Sequence, residues 1–308
     1  MKSLFRIATR SSPLALAQAN EVKDALTSVD PTLVAEKKIE IKTFKTSGDL
    51  IQIGSLAEAG GKGLFTKEVE AALLKGEAEI AVHSMKDMPS YLPDGLVIGA
   101  FLKRQDPRDA LISRAEKNLS SLRPGSIVGT ASLRRKAILL RKRPDVRTVS
   151  LRGNVETRLK KVKEGVVDAT FLAIAGLKRL GMVDHVSNIL EPEEMLPAVC
   201  QGVIGIECRK NDLKTLSLIR AIDDLNTRYQ TQAERAFLKE LDGSCQTPIA
   251  GLATLKNEKI FMRAMILKPD GSECHQSEGE GSVGEASDIG IAVAQEIRAR
   301  AGKEFLNF

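Results

Sequence analysis

Two hydrophobic periods alternate along this chain. Residues 39–44, IEIKTF, alternate with a period of two and predict a half-buried strand, and the apolar run at residues 4–9 predicts another. Between them Leu16, Ala19 and Val22 recur at helical spacing. Ser12 is placed to cap that helix, and Pro13 suits its first position. Residues 65–74 predict an amphipathic helix that closes near Gly76. Residues 79–82, EIAV, read as a short buried strand. Pro89 excludes a helix just beyond, so Lys86 and Asp87 are expected on a loop at that strand's end.

The same order then recurs. Residues 126–130 predict a strand, Ser132 caps a helix with Leu133, Ala137 and Leu140 on one face, and residues 146–151 predict the next strand. Arg152, Gly153 and Asn154 lead into a helix striped by Val155, Leu159 and Val162, closed near Gly165. Residues 168–173 are a further strand, with a loop expected at Ala175 and Gly176. The recurrence predicts two similar α/β lobes with a central cleft. Ligands of such sheets bind at the carboxyl ends of the strands, where helix N-termini point. Lobe 1 is expected over residues 1–102, completed by 203–220, and lobe 2 over residues 108–196. Residues 103–108 and 197–202 read as the connections between them. Residues 225–308 predict a small C-terminal α/β domain. It opens with a helix at 231–241 and continues with strands near Leu252 and at 260–267. A turn at Pro269, Asp270 and Gly271 follows, then a last helix from about Ala286.

Composition narrows the partners. A chain of 308 residues suits two or three domains. The net charge of +6 favours an anionic partner: phosphate, a polycarboxylate or nucleic acid. Trp is absent and Tyr occurs twice, which argues against the stacking platforms of single-strand binders. No apolar run approaches the roughly 18 residues of a membrane span, and the first residues lack a secretory h-region. A cytoplasmic location is therefore expected. Cys200, Cys208, Cys245 and Cys274 make no C-x-x-C pair and the three histidines are scattered, so no metal site is predicted.

The basic residues carry a more specific signal. Arg134 and Arg135 fall in the first turn of their helix, and Arg152 precedes the next helix. Cations there oppose the helix dipole by about 0.3–1 kcal/mol each, so an anion is expected beside them. Arg10, ahead of the first Ser-Pro cap, fits the same logic. Arginine grips carboxylate and phosphate alike in a planar fork, which leaves the anion's identity open. Arg141, Lys142 and Arg143 end their helix, where the dipole favours them, and read as a solvated face. Arg158, Lys178 and Arg179 are ambiguous one by one. Gly60, Gly61, Lys62 and Gly63 are not a P-loop, since no Ser or Thr follows the lysine; they read as a surface loop or as a lid bringing Lys62 to an anion. Asp87 is a lone carboxylate among fixed cations, a setting that keeps an acid ionised. As an exposed pair with Lys86 it would contribute only about 0–1 kcal/mol. His83 reads as a core histidine at a strand end. Cys245 stands in a turn of small residues, either packed or as a loop thiol reactive beside cations.

Taken together and in order, certain segments are specific. They are IATRSSPLAL at 7–16, GKGLF at 61–65, HSMKDMP at 83–89, GTASLRR at 129–135, LRGNV at 151–155 and the loop around Cys245. This set resembles the hydroxymethylbilane synthase (porphobilinogen deaminase) family over nearly the whole chain. The resemblance implies two lobes like those of type II periplasmic binding proteins, with a small α/β domain carrying a cysteine. It implies a transferase that joins four porphobilinogen molecules head to tail, releases ammonia at each step and hydrolyses off the linear product. It also implies a dipyrromethane cofactor, bound through a thioether to Cys245, and a catalytic aspartate at Asp87. Lys86, Ser84, Thr130, Ser132, Arg134, Arg135, Arg152 and Arg158 would hold the cofactor and the growing chain. Arg10, Ser12, Arg179 and Lys62 would hold the incoming monomer. The family suggests a monomer. Ser244 stands where the family usually has a second glycine before the cysteine; a positive φ there would strain Ser by roughly 1 kcal/mol.

Two other classes fit parts of the chain. A solute-binding protein would use the same lobes without chemistry, and fold alone does not exclude it. It leaves Cys245 without a role. A nucleic-acid binder would use the net charge and the 141–143 run, but no reader motif accompanies them.

Overall fold

The structure is a computed structural model that describes residues 4–31, 39–46, 63, 66–242, 247–302 and 305. The chain forms two compact units, residues 1–104 with 203–228, and residues 105–202 with 229–308.

The first unit is built on a five-stranded sheet. Its strands are β1 (Phe5–Arg10), β2 (Ile39–Phe44), β3 (Ile80–Ser84), β4 (Leu96–Phe101) and β10 (Ile204–Arg209). They lie in the order β2-β1-β3-β10-β4. β1 is parallel to both β2 and β3, while β10 is antiparallel to β3 and β4. Helix α1 (Pro13–Val29) starts as predicted: Ser12 Oγ accepts from the Ala15 amide and proline occupies the first turn. Its apolar stripe of Ala19, Val22 and Leu26 packs on Ile7, Ile80, Val82, Ile204 and Ile206. Helix α2 (Lys67–Leu74) buries Val69 and Leu73 beside Ala8 and Ala81. Both faces of the sheet are thus covered, as a mainly parallel sheet requires.

The second unit holds β5 (Asp109–Ser113), β6 (Ile127–Gly129), β7 (Arg147–Val149), β8 (Ala169–Ala173) and β9 (Asn188–Leu190), ordered β7-β6-β8-β5-β9. Here β6 is parallel to β7 and β8, and β5 is antiparallel to β8 and β9. The two sheets therefore share one plan. In each, an antiparallel strand from a distant part of the chain enters between the third and the last strand. Helix α3 (Leu133–Lys142) is capped by Ser132, and α4 (Val155–Lys163) by Asn154. These are the two similar α/β lobes that the sequence predicts.

Three corrections concern elements. The loop expected at Ala175 and Gly176 is helix α5 (Ile174–Arg179), with Ile174 and Leu177 in the lobe's core. Burial of that apolar pair outweighs the helix penalty of one glycine, about 1 kcal/mol. The helix expected at 231 starts earlier, as α7 (Leu225–Glu240), after α6 (Leu213–Arg220). The Lys86-Asp87 loop is a single 3-10 turn, Met85–Asp87.

The C-terminal region adds an antiparallel sheet, β11 (Ile249–Lys256), β12 (Lys259–Leu267) and β13 (Cys274–Ser282), and helix α8 (Ala286–Ala301). Ala250, Leu252 and Leu267 share one core with Val128, Ile138 and Phe171. The buried Glu234 carboxylate on α7 accepts from the amides of Ala253, at 2.7 Å, and of Cys200. Cys200 and Cys208 are buried, and Cys274 is half-buried.

Candidate functional site

In the first unit four predicted residues meet. Arg10 ends β1, Ser12 caps α1, Ser84 ends β3 and Asp87 closes the following 3-10 turn. All four line one small cavity, of about 60 Å³, with Gln18, Thr66, His83 and Met88. Carboxyl ends of parallel strands and a helix N-terminus converge here, as the lobe topology demands. The Asp87 turn is held by backbone: the Met85 amide donates to Val203 O at 3.0 Å, and Met88 to Met85 O at 3.2 Å. Beneath it Gly205 is required on β10, because a Cβ there would lie 2.1 Å from Met85 Sδ. Asp87 and Lys86 are both half-buried.

Gln18 is a site residue that the sequence reading passed over. It is 4% exposed on the buried face of α1; its amide donates to Ser84 Oγ at 2.7 Å, and the Ser84 hydroxyl lies 3.0 Å from Gln18 Oε1. A polar residue within an otherwise apolar helical stripe was the available signal. His83 is indeed a core histidine, but a partnered one, with Nε2 3.0 Å from Oε2 of the buried Glu207.

In the second unit the α3 N-terminus gathers a second set. The Ser132 amide donates to Thr130 Oγ1 at 3.1 Å, and Ser132 Oγ accepts from the Arg135 amide at 3.4 Å. The side chains of Arg134 and Arg135 meet an internal anion, the Asp109 carboxylate of β5. Arg134 Nη2 and Arg135 Nη2 each lie 2.7 Å from it. Both arginines are buried and also donate to carbonyls, Arg134 to Leu196 and Arg135 to Phe171. Gln201 Nε2 donates a hydrogen bond to Asp109 Oδ1 at 3.0 Å. Burial by itself raises the Asp109 carboxyl, but Arg134 and Arg135 hold it well below the usual carboxylate range. Two guanidiniums against one carboxylate still leave the helix N-terminus net positive, with Arg134 Nε unpartnered.

Arg152 is half-buried just before α4, and Arg158 in its first turns donates from Nε to Gly153 O at 2.7 Å. Arg179 ends α5 and donates to Gly202 O at 3.2 Å. Lys62 and Cys245 lie outside the described residues. No group of His, Cys, Asp and Glu suited to a metal occurs among the described residues.

Residues 5–217 match the family model "Porphobilinogen deaminase, dipyromethane cofactor binding domain", and residues 229–299 match "Porphobilinogen deaminase, C-terminal domain". A porphobilinogen deaminase of Nitrobacter hamburgensis is 51% identical over 302 residues, covering 98% of this chain and 95% of the relative. One of Paracoccus denitrificans is 50% identical over 304 residues, covering 99% and 96%. Among solved structures, the methionine-binding protein MetQ aligns with a TM-score of 0.45 at 13% identity, covering 71% of this chain and 89% of that one. Both family models fall on the described lobes and on the C-terminal sheet, in order and nearly end to end: the chain belongs to the porphobilinogen deaminase family.

Proposed function

We propose that this chain polymerises porphobilinogen. It joins four molecules head to tail, releases ammonia at each step and frees the linear tetrapyrrole hydroxymethylbilane. It is a deaminating transferase, a hydroxymethylbilane synthase. The observation that carries the reading is the match of residues 5–217 to the cofactor-binding domain, which includes the whole Asp87 cavity.

The donor set fits a pyrrole chain bearing acetates and propionates. Thr130 and Ser132 offer hydroxyls at the α3 N-terminus, and Arg152 and Arg158 offer guanidiniums at the start of α4. Arg134 and Arg135, locked on Asp109, keep that terminus positive from behind. Cys245 would hold the dipyrromethane, which when bound would supply the priming pyrrole for the first substrate. Ser84, Lys86 and Lys62 complete the hold on the polyanion, while Arg10, Ser12 and Arg179 receive the incoming monomer's carboxylates.

Asp87 sits where the charge changes. Loss of ammonia creates a cationic, azafulvene-like electrophile, and an ionised Asp87 fixed by its 3-10 turn stabilises that charge and the pyrrole N–H groups. It also takes up the proton that the attacked carbon gives back. We place the enzyme in the cytoplasm as a monomer, in the three-domain arrangement expected from sequence, with no nucleic-acid or membrane partner. No described helix is long and apolar enough to cross a membrane.

The test is the mass of the intact protein beside a Cys245→Ser variant. An excess equal to two deaminated pyrrole units, absent from the variant, is expected. An unchanged polypeptide mass, even after incubation with porphobilinogen, would overturn the reading in favour of a solute-binding protein.

A further inference from the structure

Behind the Asp87 cavity lies a cluster of titratable groups that the polymerisation chemistry leaves unused. His83, 6% exposed, faces the cavity and pairs through Nε2 with Glu207 Oε2 at 3.0 Å. Glu207, on the neighbouring strand β10, is fully buried, and its other oxygen, Oε1, has no partner. Glu70, on α2, is 6% exposed, and its Oε1 is also buried without a partner. Three groups act on the Glu70 charge besides its helix neighbour Glu68: Thr66, one turn earlier, Glu207 and His83. Thr66, 2% exposed, lines the same cavity as His83 and Asp87. The cluster thus reaches the cavity through two residues, and Arg10 and Asp87 are the charged groups facing it there.

Two buried carboxylates with open lone pairs are costly unless a proton or a cation is shared between them. No metal-binding group is present among the described residues, and one histidine cannot neutralise both acids. A mobile proton satisfies the arrangement. Burial pushes the Glu70 carboxyl above its usual range, and Glu207 adds to this against Thr66 and His83.

We propose that Glu70, Glu207 and His83 form a buried proton store behind the cavity, exchanging with Asp87 through His83 and Thr66. The inference rests on the polymerase reading above, whose chemistry needs such a store. The C–N bond of the substrate ammonium breaks first, its electron pair leaving with ammonia. The new C–C bond then forms, and only afterwards does the attacked ring carbon release its proton, the C–H pair restoring the aromatic ring. Across one cycle a proton passes from carbon to ammonia, giving ammonium. Between those events the proton needs an acceptor other than the departed nitrogen. Asp87 receives it and passes it to the store, which gives it up to ammonia or water before the next unit, so that Asp87 and the store are both reset. His83, Glu207 and Glu70 are therefore positioning residues acting through Asp87.

The experiment compares pH profiles of kcat for cofactor-loaded wild type, Glu70→Gln, Glu70→Asp and Thr66→Val, with ammonia release as the readout. Glutamine keeps the size of Glu70 but cannot hold the proton. The expected result is a drop in kcat of about tenfold, short of the ~10²–10⁴-fold of a direct acid or base. The limb of the profile is expected to move in Glu70→Gln, with partial return in Glu70→Asp and little change in KM. Thr66→Val, a near-isosteric change, reads the same path if Glu70→Gln does not accumulate as folded protein. Profiles of unchanged shape in these variants, or one uniform loss shared by Glu70→Gln and Glu70→Asp, would overturn the store. Wild type releasing no ammonia from porphobilinogen would instead overturn the polymerase reading.

Discussion

Asp109 and Asp87 show how far two acids of one chain can differ. Asp109 has no exposure and answers two buried guanidiniums. Removing it as Asp109→Ala leaves both cations without their counter-charge and costs about 3–5 kcal/mol. Its carboxyl lies below the usual range in the folded protein, so its stabilisation is fully present above the unfolded value of about 3.9 and fades as pH falls toward the folded one. Urea melts of wild type and Asp109→Asn are expected to show a stability gap that narrows below about pH 4; a constant gap would exclude the linkage. Asp87 is half-buried in a turn held by backbone hydrogen bonds, so Asp87→Asn keeps the melting curve while kcat falls by about 10²–10³. Normal turnover in that variant would remove Asp87 from the chemistry. The Ser12 and Ser132 caps were legible because a cap bonds within three residues. The pairing of Arg134 with Asp109 and of Gln18 with Ser84 was not, since folding alone joins those positions.

At the scale of elements, one strand absent from the sequence reading has a clear physical cause. β13, CHQSEGEGS, looks like a polar loop, yet it pairs with β12 along its whole length. Its inward positions are small because α8 lies close: a Cβ at Gly279 would stand 2.8 Å from Val293 Cγ2, and one at Gly281 3.0 Å from Ile289 Cδ1. Close packing there removed the large apolar residues on which periodicity depends. The same closeness governs α8 against α7. A Cβ at Gly290 would lie 2.1 Å from Ala233 O and 3.0 Å from Phe237 N. Alanine gains about 1 kcal/mol of helix propensity over glycine, but backbone cannot give way as a side chain does, and overpacking costs about 1–3 kcal/mol. Gly290→Ala is therefore expected to destabilise by about 1 kcal/mol or more in urea titrations. Gly284→Ala, whose Cβ would meet only Ser282 Oγ at 3.8 Å, is the neutral control; equal effects of the two would refute the packing argument.

For the whole molecule, each unit contains its own sheet and core, with Ile7, Ile80 and Ile206 at the centre of one and Val128, Ile138 and Phe171 in the other. Two cores give two cooperative units. Calorimetry is expected to return a calorimetric enthalpy above the van't Hoff value; equality would mean that the units melt as one. The sequence by itself determined the repeated strand and capped-helix order, the two lobes and the family. Each of these rests on local periodicity, short-range capping or a contiguous motif. Tertiary structure alone decided where two strands lie in their sheets, β10 between β3 and β4 and β5 between β8 and β9. It alone set Asp109 between two arginines, and Glu70 and Glu207 behind His83. Those choices depend on burial and on partners far apart along the chain, and no local pattern of residues encodes them.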